Sequence, residues 1–217
     1  MPSGTRLPTE NQLAASFGVN RHTLRRALRE LVRKGLITAT PRRGTIVTRR
    51  RFGYPLCASL SLSAVARATG MGAEDRLLRH SIVRATRNAA SALQIADRSM
   101  VLDLHYLRLL NNVPVCLSEC WMPADRFEGV GRLFERLGSL ERALSELNVA
   151  LHDDELRIIG QPATEQERRH LDLPKGATVL IIDRRYMSEG GDPVLAIHNC
   201  FAADRVELRK VLADTAC

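Results

Sequence analysis

Two groups of residues carry the chemistry this sequence offers. The first is basic: Asn20, Arg21, His22, Thr23, Arg25 and Arg26 in one run, then Arg42, Arg43 and Gly44 further on. Guanidinium groups grip phosphate oxygens and guanine edges through a planar fork, while Asn, Thr and His offer donors and acceptors to other base edges. The second group centres on Arg108 in the apolar run "VLDLHYLRLL", where alternation sets it on one strand face with Leu104, Tyr106 and Leu110. A buried guanidinium requires an anionic partner, and two sources stand open: a carboxylate elsewhere in the protein, or a bound anion. Ser139 heads a helix, where its hydroxyl and the first backbone N–H groups suit an anion, although a plain helix cap explains it equally well.

Other candidates read more plainly. His198, inside an apolar strand, is expected as a hydrogen-bonded core residue rather than a ligand, and Asp153-Asp154-Glu155 as a solvated acidic loop rather than a metal site. The five cysteines (57, 116, 120, 200, 217) show no Cys-x-x-Cys or Cys/His ligand spacing. No nucleophile–base pair stands out either. The expectation is a chain without metal or cofactor, its thiols free in a reducing cytoplasm.

Charge is distributed unevenly. Residues 1–51 hold twelve Arg/Lys against Glu10 and Glu30, whereas the rest of the chain holds 20 basic and 22 acidic residues. One end is built to meet a polyanion and the other does a different task. Neither a long apolar run nor a basic start with an apolar stretch behind it is present, so neither a spanning helix nor a secretory leader is expected.

The basic end resolves into elements. Thr9 and Gln12 form a capping box for a helix through Leu13 and Phe17 that stops at Gly18. Asn20 caps a second helix whose Leu24, Ala27, Leu28, Leu31 and Val32 make one apolar stripe, with the arginines opposite. A hairpin follows, 36–40 and 45–48, with Gly44 at its tip supplying positive φ. Helix, turn, helix and hairpin make a winged helix-turn-helix, which places its second helix in the major groove.

The run "LPTENQLAASFGVNRHTLRRALRELVRKGLITATPRRGTIV" resembles the winged helix of the GntR family of bacterial regulators, matching at Leu7, Pro8, Glu10, Gly18, Arg21, Arg25, Gly35 and Gly44 among others. The resemblance implies that Arg21, Thr23 and Arg25 face bases or phosphates and that the Arg43-Gly44 tip enters the minor groove. Asn11 stands where the family usually has Arg. The resemblance also implies a supporting helix ahead of the Leu-Pro segment, missing from a chain that begins "MPSGTR", so a native start upstream is expected.

Beyond a linker at 51–57, helices are expected at 62–69, 89–95, after Ser139 and after Thr164, with strands at 77–86, 100–110, 113–122, 178–187 and 194–202. Residues 58–217 thus read as an α+β domain on a mostly antiparallel sheet, behind a DNA-binding domain at 1–50. The register of the hairpin at Asn111-Asn112 stays open: a two-residue loop puts Arg108 and Ser118 on opposite faces, a three-residue loop puts them together. The pieces "LRLLNNVPV", "WMPADRF", "GSLERAL" and "ERRHLDLPKGATVLIIDRRY" resemble the UTRA domain of the HutC branch, whose fold is like that of chorismate lyase.

That second resemblance implies a homodimer with a small-molecule effector held between sheet and helices, near Ser63, Tyr106, Arg108, Ser118, Ser139 and Phe201. Tyr106 and Arg108 stand where the family has an Arg-x-Arg pair, and Ser63 where it often has a ligand-contacting Ser or Thr, with plain capping the equal alternative. Ser118, Leu195 and Phe201 replace a Glu, a Glu and a Tyr, which removes acceptors suited to sugar hydroxyls. The expected function is a cytoplasmic repressor that binds an inverted-repeat operator in double-stranded DNA and answers to a small anionic metabolite. The alternative is an enzyme like chorismate lyase carrying a DNA-binding module.

Overall fold

The structure is a computed structural model, and it describes residues 5–33, 37–40, 44–47, 51–56, 62–68 and 70–210. The chain divides into two compact units, Met1–Phe52 and Gly53–Cys217.

In the smaller unit, α1 (Glu10–Phe17) starts at the Thr9–Gln12 capping box and ends at Gly18, whose φ of 62° lies in the left-handed region. Helix α2 (Arg21–Arg33) follows, with the Thr23 N–H donating to Asn20 Oδ1 at 2.8 Å. Strands β1 (Ile37–Thr40) and β2 (Gly44–Val47) form the hairpin, in the register Ile37↔Val47 to Thr40↔Gly44. The N-terminal segment adds a third line to it: the Leu7 N–H donates to the Thr45 carbonyl and the Val47 N–H to the Thr5 carbonyl, both at 2.8 Å. Of the α2 stripe, Leu24 is buried, Leu28 and Leu31 are half-buried, and Ala27 and Val32 are exposed.

From Phe52, the last residue of the smaller unit, the chain runs through β3 (Phe52–Pro55), a strand in the stretch expected as a linker, and α3 (Leu62–Ala68). Then come β4 (Ala73–Arg84), α4 (Arg87–Leu93), β5 (Met100–Leu110) and β6 (Val113–Pro123). Three short helices follow, α5 (Ala124–Phe127), α6 (Val130–Leu137) and α7 (Leu140–Glu146). The chain closes its sheet with β7 (His152–Pro162), α8 (Glu165–Leu171), β8 (Thr178–Met187), β9 (Pro193–Ala202) and β10 (Val206–Arg209). One six-stranded antiparallel sheet runs β4-β5-β6-β9-β8-β7, and β3 pairs with β10 beside it. On its front face, Leu102, Leu104, Tyr106, Met122 and Leu195 pack on α5–α7 through Phe127, Phe134 and Leu144. On the back, α4 covers Val101 and Ala196 through Ala89 and Leu93, while Leu171 of α8 covers Leu107, Ile181 and Cys200.

Three expectations need correction. Strand β4 begins at Ala73, well before 77. The acidic run 153–155 is the start of strand β7 and not a loop: Arg185 on the neighbouring β8 pairs with Asp154 at 2.6 Å and Glu155 at 3.0 Å, which neutralises carboxylates that read as solvated. Helices α5 and α6 have no counterpart among the expected elements. Helix α5 is a single turn within "WMPADRF", which shows no helical period, whereas Val130, Leu133, Phe134 and Leu137 of α6 do recur at i, i+3, i+4 and i+7, a legible signal that the expected elements omit.

Hairpin β5–β6 keeps the two-residue Asn111-Asn112 turn, both residues at positive φ, yet brings Arg108 and Ser118 to one face. The register steps from Leu109↔Pro114 to Arg108↔Cys116, leaving Val115 as an extra residue on β6. That bulge reverses the parity the short turn had set.

Candidate functional site

Arg21, His22, Thr23, Arg25 and Arg26 are all exposed along the first turns of α2. Glu10, the first residue of α1, accepts from both key arginines through a single oxygen: Arg25 Nε lies 2.8 Å from Oε2 and Arg21 Nε 3.5 Å. The hydrogen bond from Arg25, aided by Arg21, holds the Glu10 carboxyl below the usual range. The acid thus fixes where two guanidinium groups point while holding each through its inner nitrogen. Asn20 is committed by its oxygen to the helix cap, so its amide nitrogen is what remains for a contact. At the wing, Gly44 has φ 82°, and a Cβ there would press on the Arg6 guanidinium, 2.8 Å from Nε. Arg42 and Arg43 lie outside the described residues.

The front face of the sheet holds a cavity of about 290 Å³ beneath α7. Tyr106, Arg108 and Ser139 line it, together with Tyr54, Asp75, Arg184, Tyr186 and Asn199, and an apolar wall of Leu140, Leu144, Val149, Leu151 and Leu195. Arg108 is buried, its Nε 3.1 Å from Asp75 Oδ1 on the adjoining β4 strand, where Asp75 and Arg108 are register partners. Burial opposes the Arg108 charge, but Asp75 beside it prevails and raises its pKa. The guanidinium carbon also lies 5.6 Å from the centre of the Tyr106 ring. Of the two partners left open by sequence, the structure supplies the carboxylate. Ser139 caps α7 by accepting from the Arg142 N–H at 3.4 Å, so its hydroxyl proton is free for another acceptor.

The remaining candidates fall elsewhere. Ser118 is fully buried and donates to Asn199 Oδ1 at 2.7 Å, supporting a residue of the cavity wall without lining the cavity itself. Phe201 is fully buried against Tyr54, ring centres 5.2 Å apart, and fixes that wall. Ser63 falls within α3, and its side chain lies outside the described residues. Among the cavity residues absent from the sequence-based candidates are Asp75, which precedes the expected start of its strand, and Arg184. Alternation in "IIDRRY" carried the second signal, since Ile182, Arg184 and Tyr186 share a face with Asn199, Ile197 and Leu195 through their register.

The back face is crossed by a row of charged side chains, one per strand: Arg79, His105, Glu119, His198, Asp183 and Arg157 are successive register partners. His198 Nδ1 bonds Asp183 at 2.6 Å, so this histidine is hydrogen-bonded as expected, though half-buried. His105 Nε2 lies 3.0 Å from Asp103 and 3.2 Å from Glu119. Burial opposes its charge, but the hydrogen bonds to the two carboxylates prevail and raise its pKa to about 9. Asp103, His105 and Glu119 form a grouping able to hold a divalent ion, yet Arg79, 2.9 Å from Asp103, already supplies the cation there. A larger cavity of about 380 Å³ opens beside this row. Two of its arginines are spent on acids, Arg157 on Asp183 and Arg185 on Asp154 and Glu155. Among the described residues the cysteines are buried, and burial pushes the Cys116 thiol up to about 12, too high for a nucleophile at neutral pH.

Comparison with known proteins agrees with both halves. Residues 1–47 match the family described as bacterial regulatory proteins, gntR family, and residues 68–207 match the UTRA domain. An uncharacterized HTH-type transcriptional regulator of Rhizobium meliloti (strain 1021), RB1450, is 33% identical over 213 residues, 94% of this chain and 84% of that protein. The probable transcriptional regulator PhnF of Escherichia coli (strain K12) is 34% identical over 187 residues, 82% of this chain and 74% of its own. The crystal structure of PhnF from Mycobacterium smegmatis superposes with a TM-score of 0.74 at 25% identity, covering 99% of this chain and 95% of that one. These relatives are regulators and not enzymes, which removes the lyase alternative. With a helix-turn-helix that offers its arginines outward, and a sheet domain that encloses a charged cavity, the chain belongs to the GntR family of bacterial transcription regulators, in the branch that carries a UTRA effector domain.

Proposed function

We propose that this regulator is a cytoplasmic repressor, binds an inverted-repeat operator as a homodimer, and changes its operator affinity when a small anionic metabolite enters the cavity under α7. Half-sites about one helical turn apart suit two copies of α2. The observation that carries the effector reading is the convergence of Arg108, Arg184 and the Ser139 hydroxyl on one cavity with an apolar wall. The Arg108 guanidinium, bound to Asp75 through Nε, suits carboxylate, phosphate or phosphonate oxygens by charge-assisted hydrogen bonds. A ligand shifts the regulator only by binding its DNA-competent and released states unequally, and a tenfold loss of operator affinity needs about 1.4 kcal/mol of coupling.

The test selects an operator from random duplexes and then titrates anionic metabolites against the complex. Arg108→Leu alone strands the buried Asp75 carboxylate, so Arg108→Leu with Asp75→Asn is the cleaner variant. It is expected to hold the operator as the wild type does and to ignore the effector. A double variant that still releases DNA at the wild-type effector concentration refutes the assignment of Arg108.

A further inference from the structure

Arg108 and Asp75 form an incomplete pair. The bond from Nε to Oδ1 is the only hydrogen bond either side chain makes among the described residues. A guanidinium has three donor nitrogens and a carboxylate two acceptor oxygens, and an end-on fork would use more of both. Neither the Arg108 Nη atoms nor Asp75 Oδ2 are among the enclosed, unpartnered atoms, and both residues line the cavity. Unused capacity of both signs therefore opens onto one small space.

That arrangement, to whose lining Arg184 and Glu141 add one charge of each sign, selects by charge. A plain anion on Arg108 brings its negative charge up against Asp75, and a plain cation on Asp75 meets Arg108. In a site this buried such like-charge contacts are weakly screened by solvent. A molecule with both charges completes each half of the pair, and its body lies on Leu140, Leu144 and Leu195. We infer that the effector is a small zwitterion, its acidic group on Arg108 and the Ser139 hydroxyl, its ammonium on Asp75, joined by a short aliphatic spacer. This rests on the effector reading above and narrows it.

The experiment uses the full chain and matched probes that differ only by the ammonium: β-alanine against propionate, taurine against ethanesulfonate, O-phosphoethanolamine against ethyl phosphate. Affinities are read by calorimetry and by thermal shift, with ethylamine as the cation alone. At least one zwitterion is expected to bind roughly tenfold more tightly than its partner anion. In Asp75→Asn that preference is expected to vanish, the zwitterion weakening and the anion holding or gaining. Equal affinity within every binding pair, or a preference that survives in Asp75→Asn, overturns the zwitterion assignment and leaves anion binding standing. Absence of binding by every probe at millimolar concentration overturns both readings. Should the variant not fold, the wild-type pairs alone decide between these outcomes.

Discussion

Glu10 holds Arg21 and Arg25 through one carboxylate oxygen, and where α2 meets the operator as proposed it would bear on specificity without itself meeting a base. Glu10→Gln removes a negative charge from beside α2 and frees both guanidinium groups. Affinity for random duplex is expected to rise and the operator-to-random ratio to fall, because phosphate attraction grows while base contacts lose their preset geometry. Fluorescence anisotropy at fixed salt reads both; an unchanged ratio would show that Glu10 plays no part in aiming. His105 makes a second prediction. Its pKa in the folded protein, about 9, stands above the ordinary histidine value of 6.5. The stabilisation it gives is therefore fully present below pH 6.5 and is lost as pH rises through about 9. The groups facing it are Arg79, Asp103 and Glu119, with His198 next along the row. Denaturant midpoints measured from about pH 6 to 10 should fall for the wild type and flatten in His105→Gln; parallel curves would refute the linkage.

Elements differed sharply in how far sequence revealed them. Both capping boxes, the left-handed Gly18 and the long strands at 100–110 and 178–187 were legible, since local hydrogen bonding and strong apolar alternation decide them. Strand β7 was not, because its acids are answered by arginines on β8 that are distant in sequence. The single extra residue at Val115 was equally hidden, and it decides whether Ser118 stands on the pocket side of the sheet. For the same reason Arg108 was legible as a charged group in need of a partner, but Asp75, 33 residues away, was not. Contact between elements can also be tested by size. Gly131 of α6 lies so close against the His80 ring that a Cβ would overlap Nδ1 and Cγ. Gly131→Ala should cost about 1–3 kcal/mol of overpacking despite the gain in helix propensity. His80→Ala in the same background should restore the loss, and a neutral single variant would refute the contact. At the head of α7, Ser139→Ala removes a cap and should cost about 1 kcal/mol, while also weakening the preferred zwitterion.

At the scale of the whole molecule, two compact units carry two tasks. If the effector is held entirely within the larger one, calorimetric scans should show its transition alone moving upward with ligand. Equal upward movement of both transitions would place part of the binding site in the smaller unit. The charged row on the back face has a further consequence, for solubility. It divides that face into two dry patches, each already roofed by a helix, and ends in an arginine on both edge strands, Arg79 on β4 and Arg157 on β7. Strand β7 needs such a guard, for Leu156, Ile158 and Ile159 beside Arg157 are all exposed. A sheet marked in this way resists stacking on another sheet or recruiting a stray strand to its rim. Arg157→Leu joins the exposed residues into one uninterrupted apolar stretch, Leu156 to Ile159, and should bring on light scattering at a lower temperature than in the wild type. The protein thus carries its protection against aggregation across the middle of its sheet.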